Sequence, residues 1–133
     1  MINIEEAMGA VSGTLFVYCA LRDEKRVSLF ADAAERAGRR VFRREDCRNL
    51  DPAALASSSD RKMIFAVPAM MDFLNRYLEA CPIGQRHILI HAREAQEAIR
   101  SMSFVFHDFW EERHVSIEDF CPECGPQTGQ GDN

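Results

Sequence analysis

The most specific local motif in this chain is Cys121-Pro122-Glu123-Cys124-Gly125, a pair of thiols two residues apart at a Pro- and Gly-bearing turn. Such a turn presents two thiolates to one metal, as in half of a zinc ribbon, and a tetrahedral site then needs two further ligands. His107 and His114 lie upstream at intervals of seven residues. Cys81 or Cys47 could instead reach in through the fold, or a dimer could share one ion between two pairs. The pair reads either as a metal-free turn in a flexible tail or as a zinc site; a zinc there is expected to be structural rather than catalytic, because both visible ligands are thiolates and no His-Glu-x-x-His accompanies them.

A second set of candidates is basic. Arg39, Arg40, Arg43, Arg44 and Arg48 fall within ten residues, whereas Asp108, Glu111, Glu112, Glu118, Asp119 and Glu123 crowd the last third. Arg presents a planar fork matched to phosphate and carboxylate, so the cluster reads either as a solvated strand edge or as a site for a phosphate or an acidic partner. The formal net charge of −5 argues against general nucleic-acid binding, which depends on phosphate neutralisation by Lys and Arg.

These residues need elements to position them. Apolar runs at Thr14–Ala20, Arg40–Arg43, Lys62–Val67 and His87–Ala92, with a fifth at Phe104–Phe109, alternate with helical patterns. That alternation predicts an α/β fold with a parallel sheet, because a parallel pair requires a crossover and the crossover is usually a helix. The first strand is apolar on both faces and belongs in the centre, while Arg40–Arg44 has only Val41 and Phe42 and reads as a charged edge strand.

The clearest helix opens at Asp23, an N-cap, carries Val27, Phe30, Ala34 and Ala37 on one face, and stops at Gly38. Asp51-Pro52 opens a short helix to about Ala56, and Ser57–Asp60 reads as a loop. Met70, Phe73, Leu74, Tyr77, Leu78 and Cys81 describe a helix over Ala69–Cys81, ended by Pro82 and Gly84. Ile4, Met8 and Val11 fit a lead-in helix, and Arg93–Met102 fits another. Val115 and Ile117 are compatible with a strand or with a last helix.

At 133 residues the chain is expected to form one domain over residues 1–124, with a flexible tail over 125–133 that holds no apolar residue. Five scattered cysteines, an odd number, and an amino terminus without a signal-like core point to reduced thiols and a cytoplasmic location. No apolar run approaches the ~20 residues of a membrane helix.

Five strands placed in the doubly wound order 2-1-3-4-5 have their switch point between the first and third. The polar residues just past the strand ends then form the default site: Arg22 and Asp23, Arg43 and Arg44 with Glu45 and Asp46, and His91. The Gly-x-Gly-x-x-Gly of a dinucleotide fold, a phosphate loop and the Gly-x-Ser-x-Gly of a nucleophile elbow do not occur.

Phe16-Val17-Tyr18-Cys19-Ala20-Leu21-Arg22-Asp23-Glu24, followed by Val27, Phe30, Ala34-Glu35, Gly38 and Val41-Phe42, resembles the opening of a Toll/interleukin-1 receptor (TIR) domain. Ser59 ahead of Met63-Ile64-Phe65-Ala66-Val67-Pro68 is similar to the third strand of that family, and Phe109-Trp110 to its late Phe-Trp box; the likeness runs loosely over residues 14–110. It implies a three-layer flavodoxin-like sheet with helices on both faces. It also implies one of two roles: an adaptor or regulatory domain working through protein contacts, self-association included, or, as in many bacterial members, an NAD-cleaving enzyme. In the second case NAD is the substrate and the catalytic glutamate falls on Glu79.

Overall fold

In a computed structural model of the protein, residues 12–18, 24–85, 87–91 and 114–116 are described, the last three by backbone alone. Four parallel strands form the sheet: β1 (Leu15–Tyr18), β2 (Arg40–Phe42), β3 (Lys62–Phe65) and β4 (Ile88–His91). A short fifth, β5 (His114–Ser116), pairs parallel with β4. The helices are α1 (Glu24–Arg36), α2 (Arg44–Cys47), α3 (Pro52–Ser57) and α4 (Met71–Ala80), the last led in by a 3-10 turn over Pro68–Met70. The α/β class and the parallel sheet follow the sequence reading.

The strand order does not. β3 lies between β2 and β1, giving β2-β3-β1-β4-β5 in place of 2-1-3-4-5. Burial patterning demands only that the charged strand take an edge, and both orders satisfy that. Arg39 ties β2 to its actual neighbour: its guanidinium, almost fully buried, donates to the carbonyls of Lys62 at 2.9 Å and Gly13 at 3.0 Å. Arg40 faces solvent on the outer edge, 2.7 Å from Asp60 and stacked 5.0 Å over the Phe42 ring. The edge is thus guarded by charge as expected.

Alternation along the strands builds two cores, because successive side chains point to opposite faces. Leu15, Val17, Met63, Phe65 and Ile90 meet Val27, Phe30, Ala31 and Ala34 of α1 on one face. Phe16, Ile64 and Leu89 meet Leu55 and Ala56 of α3 and Leu74 and Tyr77 of α4 on the other. Chain leaving β1 for β2 runs one way across the sheet and chain leaving β2 and β3 runs the other, so a single hand of crossover puts α1 opposite α3 and α4.

α1 ends where expected. Gly38 has φ +86°, and the Arg39 amide reaches back to the Ala34 carbonyl at 2.9 Å, the cap that a left-handed residue permits. α3 starts at Pro52 behind Asp51. One difference is local. The second strand stops at Phe42, and residues 44–47 turn into α2, whose first turn is drawn closed by the Arg43 amide donating to the Asp46 carboxylate at 2.9 Å. Of the two forms open to the run at Val115, the strand is the one present, over His114–Ser116. The expected strand at 104–109, the lead-in helix, the helix at Arg93–Met102 and the tail lie outside the described residues. Among the described residues no helix is long and apolar enough to cross a membrane.

Candidate functional site

The strand termini that carry the arginines open onto a shallow basin of about 400 Å³ outside the carboxyl ends of β2 and β3. Arg44 and Cys47 from α2, with Arg48, Leu50 and Pro52 after it, make one wall. Ala69 and Met70 of the 3-10 turn and Asp72, Phe73 and Arg76 of α4 make the other. Both walls exist because β2 and β3 are neighbours, so the order that overturns the expected topology also assembles this site.

The basin combines an apolar floor with cationic rims. Met70 and Cys47 are buried, Phe73 is half-buried, and Leu50, at 38 %, is one of two exposed large apolar side chains among the described residues. Arg44 and Arg48, four residues apart, stand on one side. Arg76 stands on the other, 3.5 Å from Asp72 one helical turn back. That pair is largely exposed and therefore weak, about 0.3–0.5 kcal/mol. Three arginines against one carboxylate leave the lining net positive. Cys47 is held as a neutral thiol: burial pushes its pKa up to about 11, and the Asp46 and Glu45 carboxylates push the same way.

Of the residues expected at the strand ends, Arg44 lines the basin, and Arg43, Glu45 and Asp46 flank it, exposed, on the same turn. His91 does not join them; it is buried at the end of β4, in register with Tyr18. Glu79 is exposed near the last turn of α4 and lines neither this basin nor the second cavity described below. With a rise of 1.5 Å per residue, it lies roughly 12 Å along the axis from the start of α4 at Met71. Arg22, Asp23, His107, Cys121 and Cys124 lie outside the described residues, and of His114 only the backbone position in β5 is described. Among the described residues no group of three or more His, Cys, Asp or Glu side chains could hold a metal ion.

Sequence reading placed Arg48 in the basic cluster but did not select Leu50, Met70, Phe73 and Arg76 as site residues. The i,i+4 spacings Arg44–Arg48 and Asp72–Arg76 were available signals, but their meeting depends on β2 adjoining β3, which no local pattern encodes.

Polar groups also gather at the opposite end of the sheet. Thr14 donates its amide to His87 Nδ1 at 2.9 Å, and its hydroxyl bonds the hydroxyl of the buried Tyr77. Tyr77 packs edge-on against Phe16, with ring centroids 5.9 Å apart. Burial is the main influence on Tyr77 and raises its pKa well above the usual phenol range, so it remains protonated there.

Comparison with protein-family models, with curated proteins and with solved structures gives no significant match. The arrangement itself defines the class: a parallel α/β domain with a cationic, apolar-floored depression at the carboxyl edge of its sheet.

Proposed function

We propose that this chain is a small interaction domain, an adaptor or regulatory module, that docks an acidic protein segment in the basin between α2 and α4. The observation that carries this reading is the convergence of Arg44, Arg48 and Arg76 around the floor of Leu50, Met70 and Phe73. Guanidinium forks bind carboxylates in bidentate fashion, and apolar floors with charged rims are how partner surfaces combine affinity with steering. The depression is open rather than enclosing, which suits a peptide better than a small molecule that must be wrapped.

The occupant is a second copy of the chain. Its acidic stretch, Asp108 to Glu123 with six carboxylates, complements the arginine rim in charge. Self-association is then a property of the protein alone and needs no further component. Sedimentation of wild type at moderate salt is expected to show a concentration-dependent dimer, and Arg44→Glu/Arg48→Glu is expected to weaken it at least about tenfold, the size of effect that charge reversal at a desolvated contact brings. A wild-type protein that stays monomeric, or a variant that dimerises equally well, overturns the proposal.

A further inference from the structure

A second cavity, about 250 Å³, lies at the amino-terminal edge of β1 and β3, at the far end of the sheet from the arginine basin. Ser57, Ser58, Ser59, Asp60, Arg61 and Lys62 supply most of its lining, with Gly13 and Thr14 from the approach to β1. It is rich in hydroxyls and cations, which is unusual for a gap that merely results from imperfect packing of apolar side chains.

Two groups in this lining are incompletely satisfied. Lys62 is 5 % exposed, and its ammonium donates to the carbonyls of Asp60 at 2.8 Å and Ser58 at 3.1 Å. An ammonium carries three hydrogens, so a third remains to be placed. The nearest carboxylate does not take it, because Asp60 turns its Oδ2 to Arg40 at 2.7 Å. Lys62 thus makes no ion pair with a described residue. The Ser58 hydroxyl is also buried, and among the described residues it has no hydrogen-bond partner. A buried cation without an ion pair and a buried hydroxyl without a bond each cost stability unless something completes them. Both costs fall on one cavity.

We infer that this crevice is a binding site for a tetrahedral oxyanion, inorganic phosphate or the phosphate end of a monoester, held by the Lys62 ammonium and the Ser58 hydroxyl. The anion supplies the direct ion-pair partner that Lys62 lacks, accepts its remaining hydrogen, and accepts from Ser58. Burial now pushes the Lys62 pKa below its ordinary value, and a bound anion opposes that shift. The Asp60 carboxylate favours the charged ammonium from a distance, but its Oδ2 is engaged by Arg40 and it forms no ion pair with Lys62. The site is independent of the arginine basin, shares no lining residue with it, and stands or falls separately.

Phosphorus-31 titration and thermal unfolding of the full chain test it. Inorganic phosphate at 20 mM, against sodium chloride of equal ionic strength, is expected to raise Tm by about 4 °C, the shift of a domain this size with ligand at several times Kd. Glycerol 3-phosphate in a parallel arm distinguishes the free ion from a monoester as the preferred form, and a rise with either supports the site. Ser58→Ala removes only a hydroxyl that bonds nothing described, so it is expected to fold as well as wild type and to bind phosphate several-fold more weakly. Lys62→Met is expected to abolish the shift. No phosphate or monoester binding by wild type, or binding unchanged in Ser58→Ala and Lys62→Met, overturns the inference.

Discussion

Cys47 shows how a single side chain reports on the basin it helps to floor. Its thiol is buried on α2, and burial first, then the charges of Asp46 and Glu45, lift its pKa to about 11. The thiolate is the reactive form, so each unit of elevation removes about tenfold in rate at neutral pH. Alkylation at pH 8, read by peptide mapping, is therefore expected to proceed roughly a hundredfold more slowly at Cys47 than at a thiol of ordinary pKa near 9. The same shift has a thermodynamic sign. An acid whose pKa is higher in the folded state keeps its proton there while the unfolded chain loses it, so its contribution is full below about pH 9 and drains away as pH rises toward 11. The stability advantage of wild type over Cys47→Ala in urea melts should narrow across that window. An advantage constant from pH 8 to 11 would show that the thiol is not held neutral.

Among the elements, α4 has two jobs and distributes them by face. Leu74 and Tyr77 close the core over Phe16 and Leu89, while Asp72, Phe73 and Arg76 look into the basin. Leu74 is fully buried, so Leu74→Ala should cost about 3 kcal/mol by the loss of buried methyl groups and the cavity left behind. Arg76→Ala removes only an exposed ion pair and should cost under about 0.5 kcal/mol. Equal costs in chemical denaturation would contradict this division. The helix was legible in the sequence because its stripe has a period of 3.6, and α1 because its apolar face, its acidic start and Gly38 agree. α2 was not. Four residues, Arg44–Cys47, are too few to show a period, and their polarity is that of a loop.

Strand pairing sets how far local pattern can carry the arrangement of the entire chain. Alternation identified β1 to β4 and the charged edge, but the neighbour that β2 takes is fixed by contacts between residues far apart, such as Arg39 with Lys62 and Gly13, which no window of sequence contains. The basin inherits that limit: Arg44 was legible as a charged strand end, whereas Arg76, thirty-two residues on, joins it only because β3 follows β2 in space. Charge, by contrast, is readable over the full length. Basic residues gather at 39–48 and acidic ones at 108–123, and if these meet between two copies, the contact can be inverted and rebuilt. Arg44→Glu/Arg48→Glu spoils the basin and keeps the acidic stretch; Glu111→Arg/Glu112→Arg does the reverse. Each variant alone should self-associate poorly. Mixed in equal amounts they should pair, since one contact of the dimer is native and the other has both charges exchanged. The pairing should also weaken as salt rises, because the screening length falls from about 8 Å at physiological ionic strength to about 3 Å at 1 M. A mixture that sediments no faster than its components would show that this acidic stretch is not what the arginines hold.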